Sequence, residues 1–107
     1  MSHIDLERLR RGLTEGRIAI WLTSHADVEM RKDGLKAIDV ERTVLDGERI
    51  EDYPDRERCL LLGFTRAERI PVHVCIEYQE GDPEMVIVTA YVPQRPDWIG
   101  HRRQRKR

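Results

Sequence analysis

Aromatic side chains make up only 6% of the 107 residues, with a single phenylalanine, and there are just two cysteines. So low a thiol content excludes a disulfide-stapled scaffold. Cys59 and Cys75, each inside an apolar run and without a CxxC partner, read as two buried free thiols. Long apolar runs are missing as well: none approaches the roughly 20 residues needed to cross a bilayer. The opening MSHIDLERLRRGL has no apolar stretch of the signal-peptide kind, so the expected compartment is the cytoplasm, with no membrane partner. Histidines are few and never spaced as HxH, HExxH or HxxxH, so no metal site is expected. Without a glycine-rich phosphate loop, no nucleotide cofactor is expected either.

Charge is abundant instead. Charged residues reach 36% against 39% hydrophobic, the balance of a single domain with a modest core and a heavily charged surface. The net charge of −1 conceals an asymmetry. RRQRKR, residues 102–107, holds five basic side chains, which leaves residues 1–101 with 14 basic against 20 acidic, a net of −6. The expected organisation is one domain over 1–101 and a solvated, disordered basic tail. Arg102, Arg103 and Arg105 of that tail can meet the phosphates of RNA or DNA, or an acidic partner.

Periodicity places helices early and strands late. Leu6, Leu9 and Leu13 mark a first helix that ends before Gly16, its outer face carrying Arg8, Arg10 and Arg11. RIAIWLT, residues 17–23, reads as a strand. Ser24 is the predicted N-cap of a second helix, with Asp27 as its capping-box partner and Gly34 as its stop. Ala37, Val40 and Val44 stripe a third helix that stops at Gly47. Strands over 49–53 and 58–65 follow, then a hairpin from Ile70 to Val92 that turns at EGDPE. The expected fold class is α+β: N-terminal helices followed by a twisted antiparallel sheet that they cover on one face.

Alternation sorts the hairpin into two faces. Val72, Val74 and Ile76 point one way and His73, Cys75 and Glu77 the other; on the return strand Val86, Val88, Ala90 and Val92 oppose Ile87, Thr89 and Tyr91. Placing both valine-rich sets on the core face pairs Val72 with Val92 and Ile76 with Val88. It leaves Glu80 to Glu84 as the loop and sets His73 opposite Tyr91 and Cys75 opposite Thr89. The second face is then either the solvated side of an amphipathic sheet or a polar surface on which His73 and Tyr91 contact a phosphodiester. His25 also has two readings. At the first position of the second helix it is either a tolerated surface residue or a neutral imidazole beside free backbone N–H groups, able to act as a general base.

Four segments, LTSHADVEMRKDGL, VLDGERIEDYP, IPVHVCIEY and VIVTAYVPQRPDWI, occur in that order, and the likeness they carry covers about Ile18 to Trp98. Together they resemble the bacterial domain-of-unknown-function family 4258. That family's pattern runs T-x-H-A-x-x-R-M-x-x-R-G-I, a VLxGE-like step, P-x-H-V, and a VVTVY-like strand followed by a tryptophan. Its members look like small RelE-like toxins, and some resemble partners of antitoxins that carry a YgiT-type zinc finger. The resemblance implies a RelE-like toxin architecture, a toxin of a type II toxin–antitoxin system, and a metal-independent ribonuclease. The positions that carry over are His25, Ala26, Met30, Gly34, Gly47, His73, Thr89 and Tyr91. Glu29 and Asp33 stand where the pattern has arginines, and acids there oppose the charge stabilisation that phosphodiester cleavage needs.

Under the ribonuclease expectation, His25 or His73 takes the 2′-hydroxyl proton, while Tyr91 or the other histidine protonates the leaving 5′-oxygen. Arg17, Arg31, Arg58 and Thr89 hold the phosphate, and the tail adds affinity for RNA without sequence preference. The alternative expectation is a non-catalytic protein-binding module, or an inactive toxin homologue. It would receive a cognate antitoxin on the sheet face or an exposed edge, because a body of net charge −6 repels RNA.

Overall fold

A computed structural model describes residues 3–93, together with the backbone at 98–99 and 103–104. Asp5 caps the first helix, α1 (Leu6–Thr14), by accepting from the Arg8 amide, and Gly16 follows it in left-handed backbone at φ +77°. Strand β1 (Ala19–Leu22) leads into α2 (Ser24–Lys32) and α3 (Ala37–Asp46). Strands β2 (Glu48–Tyr53), β3 (Arg58–Phe64), β4 (Pro71–Glu77) and β5 (Glu84–Tyr91) follow. A short β6 (Trp98–Ile99) pairs with β7 (Arg103–Gln104) in a separate two-stranded ladder. No helix among the described residues is long and apolar enough to cross a membrane.

The main sheet has the order β1-β5-β4-β3-β2. Strands β2 to β5 pair antiparallel in sequence, but β1 runs parallel to β5, from Ala19 against Glu84 to Leu22 against Ile87. The fold is therefore α+β with a mixed sheet, not the wholly antiparallel one expected, and its helices are not all N-terminal to its strands, because β1 lies between α1 and α2. The connection explains both corrections. Two helices carry the chain from β1 at one edge to β2 at the other, so no hairpin forces the direction of β1 on its neighbour.

All three helices contribute to one buried cluster. Leu9 of α1, Ala26 and Met30 of α2, and Val40 and Val44 of α3 pack with Cys59, Leu61, Val72, Val74, Ile76, Met85, Ile87 and Ala90 of β3, β4 and β5. Full burial of one large aliphatic side chain stabilises by about 1.5–3 kcal/mol. An exposed ion pair such as Arg11 with Glu7, 3.3 Å apart, contributes about 1 kcal/mol at most, so the cluster holds the layers together. At Thr43 the two layers nearly touch: a Cβ on Gly63 would lie 2.9 Å from the Thr43 Cβ, and one on Gly47 would lie 2.9 Å from the Leu62 carbonyl oxygen.

The hairpin departs from simple alternation. His73 pairs with Tyr91 and Cys75 with Thr89 as expected, but Ile76 pairs with Ile87 and not with Val88. A bulge at Val88 shifts the register by one, so Met85 and Ile87 join the helix-facing cluster instead of Val86 and Val88, and Ala90 returns to it beyond the bulge.

Arg10 corrects a second expectation, for it does not stay on an outer face of α1. Its Nε donates to the Val44 carbonyl at 2.8 Å and its Nη2 to the Gly47 carbonyl at 2.6 Å, which satisfies the end of α3. Desolvation by burial lowers the guanidinium pKa from its ordinary value, although nearby Asp46 opposes the shift. Arg10→Ala should lower the free energy of urea unfolding by about 1.5–3 kcal/mol, the range of a lost charged hydrogen-bond set. Arg10→Lys should fall between the two, because one ammonium cannot match the guanidinium fork.

Candidate functional site

Thr23, not Ser24, caps α2. Its Oγ1 accepts from the Ala26 amide at 3.0 Å and donates to the Val88 carbonyl at 3.1 Å, so a single hydroxyl starts the helix and anchors it at the bulge of β5. The cap shift moves His25 to the second helical position, and Asp27 forms no capping box but binds Arg31 Nε at 2.9 Å one turn on.

Past Leu22 strand β1 has ended, and the edge of β5 needs other partners. Two carboxylates of α2 supply them. Glu29 Oε1 accepts from the Ala90 amide at 3.1 Å, and Asp33 Oδ2 accepts from the Val92 amide at 2.8 Å. Asp33 sits at the C-terminal end of α2, where the helix dipole disfavours a negative charge, and its bond to the Val92 amide, one residue past β5, offsets that cost. The sequence marked these acids only as departures from the family pattern, and their role as backbone acceptors is new with the fold. A helix that carries Glu and Asp four residues apart, just after a four-residue strand, is the signal that could have pointed to them. Arginine has no acceptor and could not make either bond.

His25 is largely exposed, at 72% of its side-chain surface, and its Nε2 lies 3.8 Å from Glu29 Oε1. His73 is wholly buried on the sheet face opposite the helices, with Nδ1 3.4 Å from the Tyr91 hydroxyl and the two rings edge-on, centroids 5.4 Å apart. Thr89 shares that face, and its Oγ1 is buried without a hydrogen-bond partner among the described residues. The structure thus brings His73, Tyr91 and Thr89 together. His25 stands apart on α2, and among the described residues it is linked to β5 through Glu29.

The face that carries these groups is not wet. Leu60 and Leu62 are each 3% exposed and Cys75 is 8% exposed, all on the side of His73. Glu48 and Glu51 of β2 share the face, and neither they nor His73 and Tyr91 lack an interaction partner.

The expected phosphate-binding cations lie elsewhere or are engaged. Arg58 Nε binds Glu77 at 2.7 Å, four residues and therefore about 13 Å along β4 from His73. Arg17 binds Glu15 at 2.8 Å and, with Asp5, Arg8, Tyr78 and Asp82, lines a cleft of about 620 Å³ that contains none of His25, His73 and Tyr91. Arg31 is held by Asp27. Arg102 and Arg105 lie outside the described residues, and Arg103 falls on β7. Among the described residues no group of three His, Cys, Asp or Glu side chains gathers as a metal site.

Burial pushes the Cys59 thiol up from an ordinary 9.0 to about 12 and the Cys75 thiol to about 11. Both thiols are free. Below pH 9 the folded and unfolded chains are equally protonated at these sites; above it the unfolded chain ionises first. The unfolding free energy should therefore fall as pH rises from about 9 towards 12, and a Cys59→Ala/Cys75→Ala double variant should flatten that fall in urea titrations.

Glu29→Ala should cost about 1–3 kcal/mol in the same titration, because it strands the Ala90 amide, whereas Glu29→Gln keeps an acceptor oxygen and should cost less.

No curated protein and no solved structure matches the chain. A family model does match, over residues 22–92, which spans the cap at Thr23, the carboxylates of α2 and the His73–Tyr91 pair: the chain belongs to DUF4258, a domain of unknown function.

Proposed function

We propose that this chain is the toxin-type member of a bacterial toxin–antitoxin pair, of RelE-like architecture, and that it acts by docking an extended segment of its partner protein along β1. The observation that carries this reading is the state of β1. It is the edge strand of the main sheet, yet Ile20 is 37% and Trp21 58% exposed. An AIWL strand, apolar on both faces, suits the middle of a sheet. Ala19 and Thr23 donate inward to Pro83 and Ile87, so strand alternation turns the amides of Ile20 and Leu22 outward. A strand added there would satisfy those amides and cover Ile20 on one face and Trp21 on the other.

A second reading, metal-independent cleavage of RNA, is favoured by the His73–Tyr91 pair, which can hold and return a proton. Against it stand the full burial of His73, the engaged arginines and the net −6 of residues 1–101. Partner docking therefore agrees better with the described surface.

Affinity capture from the host, followed by hydrogen exchange on the purified complex, separates the two. A specific protein partner should be lost with Trp21→Asp and kept with His73→Gln, and the Ile20 and Leu22 amides should slow on binding. RNA incubated with chelator should stay intact. Cleavage by the wild type that disappears in His73→Gln and Tyr91→Phe would replace docking with the ribonuclease reading.

A further inference from the structure

The helix-facing cluster explains the burial of only one side of the sheet. The buried apolar side chains of α1, α2 and α3 all belong to that cluster, whereas Leu60, Leu62 and Cys75 do not, although they are 3%, 3% and 8% exposed. His73, on their side, is 0% exposed. A sheet face buries side chains to this degree only when something lies over it.

We propose that the C-terminal segment of this same chain, residues 94–107, seats on that face and shields the His73–Tyr91 pair. Four observations select this occupant. Strand β5 ends at Tyr91, directly opposite His73 on β4, and Pro93 is buried, so the chain leaves the domain at this end of the face. The segment is long enough: folded as a hairpin, its 14 residues give arms of about 23 Å, against about 14 Å from β5 to β2 at ordinary strand spacing. β6 and β7 pair antiparallel within it, as such a hairpin requires. Its composition also fits, with Trp98 and Ile99 to suit Leu60 and Leu62, and Arg102, Arg103, Arg105, Lys106 and Arg107 to suit Glu48 and Glu51. The five terminal cations then neutralise an acidic domain of net −6 instead of standing free for RNA.

The two cysteines are built-in reporters, because Cys59 faces the helices and Cys75 the proposed cover. The 107-residue chain is pulsed with a maleimide at about pH 8, and each cysteine is read by peptide mass spectrometry. In the unmodified chain both should label slowly. In Trp98→Asp and in the triple variant Arg102→Glu/Arg103→Glu/Arg105→Glu, Cys75 should label roughly tenfold faster or more while Cys59 stays protected. Labelling of Cys75 in the unmodified, folded chain as fast as in the denatured chain would overturn the proposal. So would variants that leave Cys75 as slow as before, or protection that falls on dilution, which would make the cover a second copy. Should a variant expose both cysteines by unfolding, the unmodified chain still decides: a carbodiimide should join Lys106 to Glu48 or Glu51 within one chain, and Lys106 links found only between chains refute the seat.

Discussion

An edge of β-sheet left without hydrogen-bond partners is costly, and this protein meets that cost at β5 with a helix in place of a strand. β1 is only four residues long and serves β5 as far as Ile87. Beyond it Thr23 takes the Val88 carbonyl, Glu29 the Ala90 amide and Asp33 the Val92 amide. Much else depends on this arrangement. It sets where α2 lies against the sheet, brings Ala26 and Met30 into the core, and leaves His25 outside it. The two acids that look like defects beside the family pattern are thus acceptors at the sites where the fold requires acceptors.

The same arrangement weighs on function. A phosphodiester cleaver needs cations free to meet developing negative charge. Here Arg17, Arg31 and Arg58 are held by Glu15, Asp27 and Glu77, and α2 turns carboxylates towards β5. What the domain offers outward is an apolar edge strand, the kind of surface that another chain extends. DUF4258 itself assigns no activity, so it is the state of β1 that favours partner docking.

Much of the local structure was legible because its signals are local. The leucine spacing of α1, the valine stripe of α3 and the glycines at 16 and 34 depend on a few neighbouring residues, and the observed helices follow them. The pairing of His73 with Tyr91 followed from alternation alone. The shift at Val88 did not, because the alternation of apolar residues carries no mark of the extra residue; in the fold the Thr23 hydroxyl binds the Val88 carbonyl at that point. Thr23 and Ser24 are both good caps by type, and contact with β5 decided between them.

By itself the sequence determined an α+β domain with two unpaired cysteines, strongly segregated charge and a histidine–tyrosine pair across a hairpin, since composition and period are properties of the chain. The tertiary structure alone decided that β1 runs parallel at an edge, that Arg10 closes α3, that Glu29 and Asp33 serve backbone amides of β5 and of Val92 just past it, and that His73 is buried while His25 is exposed. Each of these outcomes rests on groups more than 30 residues apart or on which face of the sheet is covered. No window of local sequence encodes such relations, because they exist only once the layers have packed.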